Sequence, residues 1–66
     1  MTTVRLPARW VNQLTKLPES GMGYQRVNIT LNDGKILRDI VVLNAEQAQA
    51  PEPFEAADIL TLELVR

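Results

Sequence analysis

The chain contains no cysteine and no histidine. Without cysteine there is no disulfide and no thiolate nucleophile. Without either residue, thiol–imidazole catalysis, histidine-based triads and zinc sites built on these ligands are excluded. Aromatic residues are scarce: Trp10, Tyr24 and Phe54 are the whole supply. An aromatic groove for a proline-rich ligand needs more, and two of the three are expected in the core. No apolar run approaches the ~20 residues that span a bilayer. The opening MTTVRLPARW lacks the apolar stretch of a signal peptide, so a cytoplasmic location is the expectation, with no membrane partner.

What is present fits a single small folded domain over residues 1–66. A 45% hydrophobic fraction with 23% charged residues argues against disorder. A domain of this size hides only about 60% of its unfolded surface, so dense packing or self-association is needed to stabilise it. A homo-oligomer, or pairing with another protein, is therefore expected. Net charge is −1 but unevenly placed. Residues 1–39 carry six basic side chains against three acidic, whereas residues 40–66 carry one basic against five acidic. Attraction between the two halves within one fold is the plainer reading, and a basic binding face the sharper one.

The organising stretch is residues 24–44, YQRVNITLNDGKILRDIVVLN. Val27, Ile29 and Leu31 alternate with Arg26, Asn28 and Thr30, the period of a half-buried strand. Asn32-Asp33-Gly34-Lys35 supplies turn residues, Gly34 accepting φ > 0 without a Cβ clash. Residues 36–43 return as a second strand. Their alternation breaks at Arg38-Asp39, which predicts a bend or bulge there. The apolar run 40–43 is then covered on both sides, by the fold or by an oligomer partner.

Residues 1–5 read as a loose end. Pro7 suits a first helical turn. Leu6, Trp10, Val11, Leu14 and Leu17 follow at helical spacing, predicting a helix over about 7–16 that stops at Pro18. Arg9, Asn12, Gln13 and Lys16 fall on its opposite side. So short a helix is marginal alone and must dock, with Trp10 as the packing anchor. Residues 17–23, with Pro18, Gly21 and Gly23, are a turn. Residues 45–50 are read as an extended, weakly paired, edge-like segment, because Pro51 leaves too few residues for a helix. Pro51-Glu52-Pro53 forbids pairing. Residues 54–58 make one helical or 3₁₀ turn, with Phe54 plugging the core. Residues 59–65 close the chain as a strand with Leu60, Leu62 and Leu64 inward, pairing with either earlier strand.

Residues 17–44, LPESGMGYQRVNITLNDGKILRDIVVLN, resemble a signature shared by short bacterial proteins: Leu-Pro-Glu-Ser-Gly, Gly-Tyr, an alternating strand, Asp-Gly and a Val-rich strand. That resemblance implies a folded unit and carries no activity or site residue with it. A short helix followed by bent antiparallel strands and an Asp-Gly hairpin also resembles the Sm-like and SH3-like small barrels. Leu31-Asn32-Asp33-Gly34 matches the Leu-x-x-Gly of Sm-like strands. The second Gly of that pattern, its RNA-pocket Asp-x-x-x-Asn and its Arg-Gly or Lys-Gly have no counterpart here, so the resemblance implies the barrel and not the RNA site.

The expected fold is mainly β: a small antiparallel barrel, SH3-like or Sm-like, with a short N-terminal helix, three strong strands and one weak one. Its expected core is Trp10, Leu14, Val27, Ile29, Leu31, Leu37, Ile40, Val42, Phe54, Leu60, Leu62 and Leu64. Carboxylates lie singly along turns and strands. Glu55 and Asp58 share a spacing but no evident cleft, and Asn32-Asp33-Gly34 is too short for a calcium loop. No enzyme activity, cofactor or metal is expected. The functional expectation is a non-enzymatic interaction module, self-associating through sheet edges or an apolar face. The alternative is a small barrel binding RNA or DNA, with Tyr24, Arg26 and Arg38 as a stacking and phosphate patch.

Overall fold

A computed structural model describes residues 2–65. It is mainly β, with five antiparallel strands in one open sheet and one short helix. The strands are β1 (Thr2–Arg5), β2 (Tyr24–Leu31), β3 (Ile36–Leu43), β4 (Gln47–Ala50) and β5 (Ile59–Leu64), in the order β1-β4-β3-β2-β5. The helix α1 spans Ala8–Thr15, and a 3₁₀ turn spans Ala56–Asp58. Among the described residues no pairing joins β1 to β5, so the sheet has two edges where a closed barrel has none.

β2 and β3 form the expected hairpin. Gly34 sits at φ 91°, and its N–H donates to the Leu31 carbonyl at 2.9 Å. The bend at Arg38-Asp39 is present as well. Val27 faces Ile40 and Ile29 faces Leu37, so two residues of β3 oppose Asn28 alone. Asp39 takes the left-handed conformation, φ 57°, and its N–H donates to Asn28 Oδ1 at 2.9 Å. This extra residue restores the phase: Leu37, Ile40 and Val42 all point inward and are buried.

The N-terminal segment is not a loose end. Thr2, Thr3 and Val4 are β-branched or half-apolar strand formers, and they pair with β4 from Thr2↔Ala50 to Arg5↔Gln47. The partner lies more than forty residues away, beyond what local pattern reveals. β4 is accordingly not edge-like. It is enclosed between β3 and β1, with Ala48 and Ala50 fully buried, because pairing on both sides outweighs the poor strand propensity of Ala and Gln. It ends at Pro51 as expected.

Helix α1 lays Trp10 and Leu14 on the core face of the sheet. Pro7 precedes the helix in an extended conformation, and the chain leaves it at Lys16. Nine of the twelve expected core residues are buried; Phe54 and Leu64 are half-buried against them. Leu60 is a miss, 56% exposed, with Ile59 buried in its place. Thr30 pairs with Thr61 but Leu31 with Ile59, so an extra residue at Leu60 reverses the inward phase at the start of β5. Leu6, Ala48 and Ala50 complete the core. No helix among the described residues is long and apolar enough to cross a membrane.

Candidate interaction surface

Tyr24 and Arg26 sit two apart on the solvent face of β2, and Arg38 lies at the β3 bulge, exposed, beside the strand position of Asn28. The fold therefore gathers the three on neighbouring strands. Tyr24 is half-buried and lies across Gly21, where a Cβ would come within 2.3 Å of its ring. Gly21 is thus required by a side chain passing close, and Gly23, at φ 81°, by its backbone. Arg26 donates from Nε to Asp39 Oδ1 at 2.5 Å, and both are about half exposed. The acidic residue that makes the bulge thus neutralises one of the two arginines of the patch. Along the same face, Val41 and Leu43 are half-buried, next to Gln49 and Gln47 of β4.

The Arg26 guanidinium holds the Asp39 carboxyl below its ordinary value through their hydrogen bond, and Asp39 raises Arg26 by the same contact. A depressed folded-state value means the pair stabilises the fold above the ordinary carboxylate value, 3.8, and that the contribution fades as pH falls through the lower folded value. Asp39→Asn removes the titration and keeps a residue that tolerates φ > 0. The urea midpoint of the unsubstituted protein should fall more than that of Asp39→Asn between about pH 5 and about pH 2. Equal falls would show that the ion pair is not coupled to folding.

The two sheet edges differ. In an antiparallel ladder, alternate residues aim both backbone groups at one neighbour or the other. The Val65 N–H donates to Arg26 and the Asn32 N–H to Asp58, which fixes Ile59, Leu62 and Leu64 as outward-aimed on β5. The carbonyls of Ile59 and Leu62 are engaged, whereas among the described residues the Leu62 N–H and the outward groups of Leu64 meet no backbone partner. Arg9 donates to the Ile59 carbonyl at 3.3 Å and Gln13 to the Leu62 carbonyl at 2.9 Å. The Ile59 N–H is taken by the Ala56 carbonyl. Arg9 and Gln13, four apart on α1 and exposed, thus also reach across to carbonyls of the β5 edge. Only the structure could reveal this, since the i, i+4 spacing by itself reads as a solvated helix face.

β1 is different. The Leu6 N–H donates to the Glu46 carbonyl at 2.7 Å. This places Thr2 and Val4 toward β4, and Thr3 and Arg5 away from it. Among the described residues, no backbone partner meets the outward groups of Thr3 and Arg5. The strand carries no proline and no bulge; its short length and exposed Arg5 are the features that blunt it.

Where β1 runs into α1, a groove of about 790 Å³ opens between Leu6, Pro7, Trp10 and the Ala56-Ala57 turn, with Arg5 and Glu46 at its rim. Trp10 is the expected packing anchor, 7% exposed. The Arg9 guanidinium lies 4.5 Å from its ring centre, at cation–π distance. Its buried Nε1 has no hydrogen-bond partner among the described residues. Gln25 is the buried polar residue that the sequence reading missed. It shares the inward phase of Val27 and Ile29, which was the available signal, and its Nε2 donates to the carbonyls of Leu14, Leu17 and Pro18. Comparison with protein-family models, curated proteins and solved structures finds no match to this chain.

Proposed function

We propose that this chain is a non-enzymatic interaction module that associates with copies of itself through its sheet. One observation carries the reading: two outward carbonyls of β5 are taken by Arg9 and Gln13, whereas β1 leaves the outward groups of both Thr3 and Arg5 unpaired among the described residues. An unpaired strand edge is a template for another strand. The small size of the fold and its lack of disulfides add to the case, since such domains gain stability by assembling. The same reading takes the sheet as an SH3-like or Sm-like barrel opened along one seam. The support for it is the two bulges that bend the sheet and the position of α1, joined to β1 through Leu6-Pro7 and hydrogen-bonded to β5. The likeness of residues 17–44 to short bacterial proteins fits a module of this kind and adds no ligand.

Light scattering behind a sizing column, at low and high salt and with a mixed RNA pool, tests the function. An oligomer that persists at high salt and ignores RNA is the expected result, because backbone pairing and apolar contacts are little screened. A monomer that shifts only with RNA and only at low salt would replace this reading with nucleic-acid binding through Arg26 and Arg38.

A further inference from the structure

Resting on that self-association, we infer that two copies pair antiparallel through β1, about a two-fold axis at Val4, and that assembly stops at two. The outward residues are Thr3 and Arg5, so three symmetric registers are open to the strand. Centring on Arg5 sets like charges directly opposite and brings Pro7, which has no N–H, against Thr3. Centring on Thr3 leaves Arg5 opposite a residue outside the strand. Centring on Val4 matches Thr3 of each copy with Arg5 of the other and uses every outward group of both residues.

The side chains agree with this register. Val4 belongs to the core face and is half-buried, exposed because β1 is an edge. The two-fold sets it against Val4 of the second copy, in a pair without mutual hydrogen bonds whose Cα atoms lie about 4.5 Å apart. Arg5 meets a neutral Thr3 on the solvent face. The joined sheet then ends in two β5 strands whose Ile59 and Leu62 carbonyls are taken by α1, which leaves only the Leu62 N–H and Leu64 open, a poorer template for a third chain than β1. Four residues bury less than the ~800 Å² per partner of a standard interface, so the dimer should dissociate on dilution.

The absence of cysteine makes cross-linking a clean test. Under mild oxidation Val4→Cys should form a covalent dimer. Thr3→Cys and Arg5→Cys should each fail alone and cross-link when mixed, because their Cα atoms would lie about 5.5 Å apart, within disulfide reach. Thr3→Pro removes an outward N–H without touching the β4 ladder and should give a folded monomer. Thr3→Cys cross-linking alone as well as in the mixture would overturn the register. A dimer by scattering with no cross-link in any variant would overturn the β1 interface and leave self-association standing. Species larger than two chains would overturn the closed assembly, and a monomer at every concentration would end both readings.

Discussion

Leu14→Ala is expected to leave a large share of the chain unfolded at room temperature. Leu14 is fully buried and central to the helix-to-sheet contact. Truncating a buried Leu to Ala costs about 2–5 kcal/mol, the transfer term plus the cavity left behind. A chain of 66 residues has about 3–10 kcal/mol of stability at ~0.05–0.15 kcal/mol per residue. One side chain therefore carries a large fraction of the total. The cavity has little chance to collapse, since Val27, Ile29 and Val42 on the facing sheet are also fully buried and held by strand pairing. Urea titration followed by Trp10 fluorescence and far-UV circular dichroism should show a midpoint moved far toward zero with an unchanged slope. A shift under about 1 kcal/mol would mean that the helix is not anchored through this residue.

The second large effect is expected at Gln25. Its amide gathers the carbonyls of Leu14 at 2.9 Å and of Leu17 and Pro18 at 3.3 Å, where α1 ends and the chain turns toward β2. Leu14 lies in the last turn of α1 and Leu17 and Pro18 in the turn after it, so the buried Gln25 amide ties the end of the helix to β2. Gln25→Leu keeps the apolar stem and removes the donor, at a cost of about 1–3 kcal/mol. Gln25→Glu should be worse near neutral pH, because a carboxylate would replace the amide against three carbonyl oxygens in a buried position. Burial and these acceptors push such a carboxyl up, so its destabilisation should shrink as pH falls and the group takes a proton. Chemical denaturation of both variants at about pH 7 and about pH 4 separates the two effects. Equal stability of Gln25→Glu at both values would contradict a buried, donor-dependent role.

The pattern of successes and misses follows how far each residue's partner lies along the chain. The hairpin was legible because its signals are local: alternation in residues 24–31, a turn glycine at Gly34, and a charged break at Arg38-Asp39 that pointed to a bend or bulge. Helix α1 was legible from the spacing of Trp10 and Leu14. Leu60 was misread because a second bulge carries no charge or glycine to mark it. The roles of Arg9 and Gln13 were hidden for a related reason. A polar side chain on a helix looks the same in sequence whether water or a strand carbonyl lies beyond it.

The sequence alone determined a mainly β domain with one short docked helix, its hairpin, its bend and most of its core, because periodicity and turn chemistry act within a few residues. Tertiary structure decided which strands are neighbours. It turned residues 2–5 into a strand, placed residues 47–50 inside the sheet, and left one edge partly capped and one open. Those outcomes depend on hydrogen bonds between segments more than forty residues apart, backbone to backbone between β1 and β4 and side chain to backbone from Arg9 and Gln13 to β5. Backbone groups are the same in every residue but proline, so composition and spacing hold no record of which pairs they form.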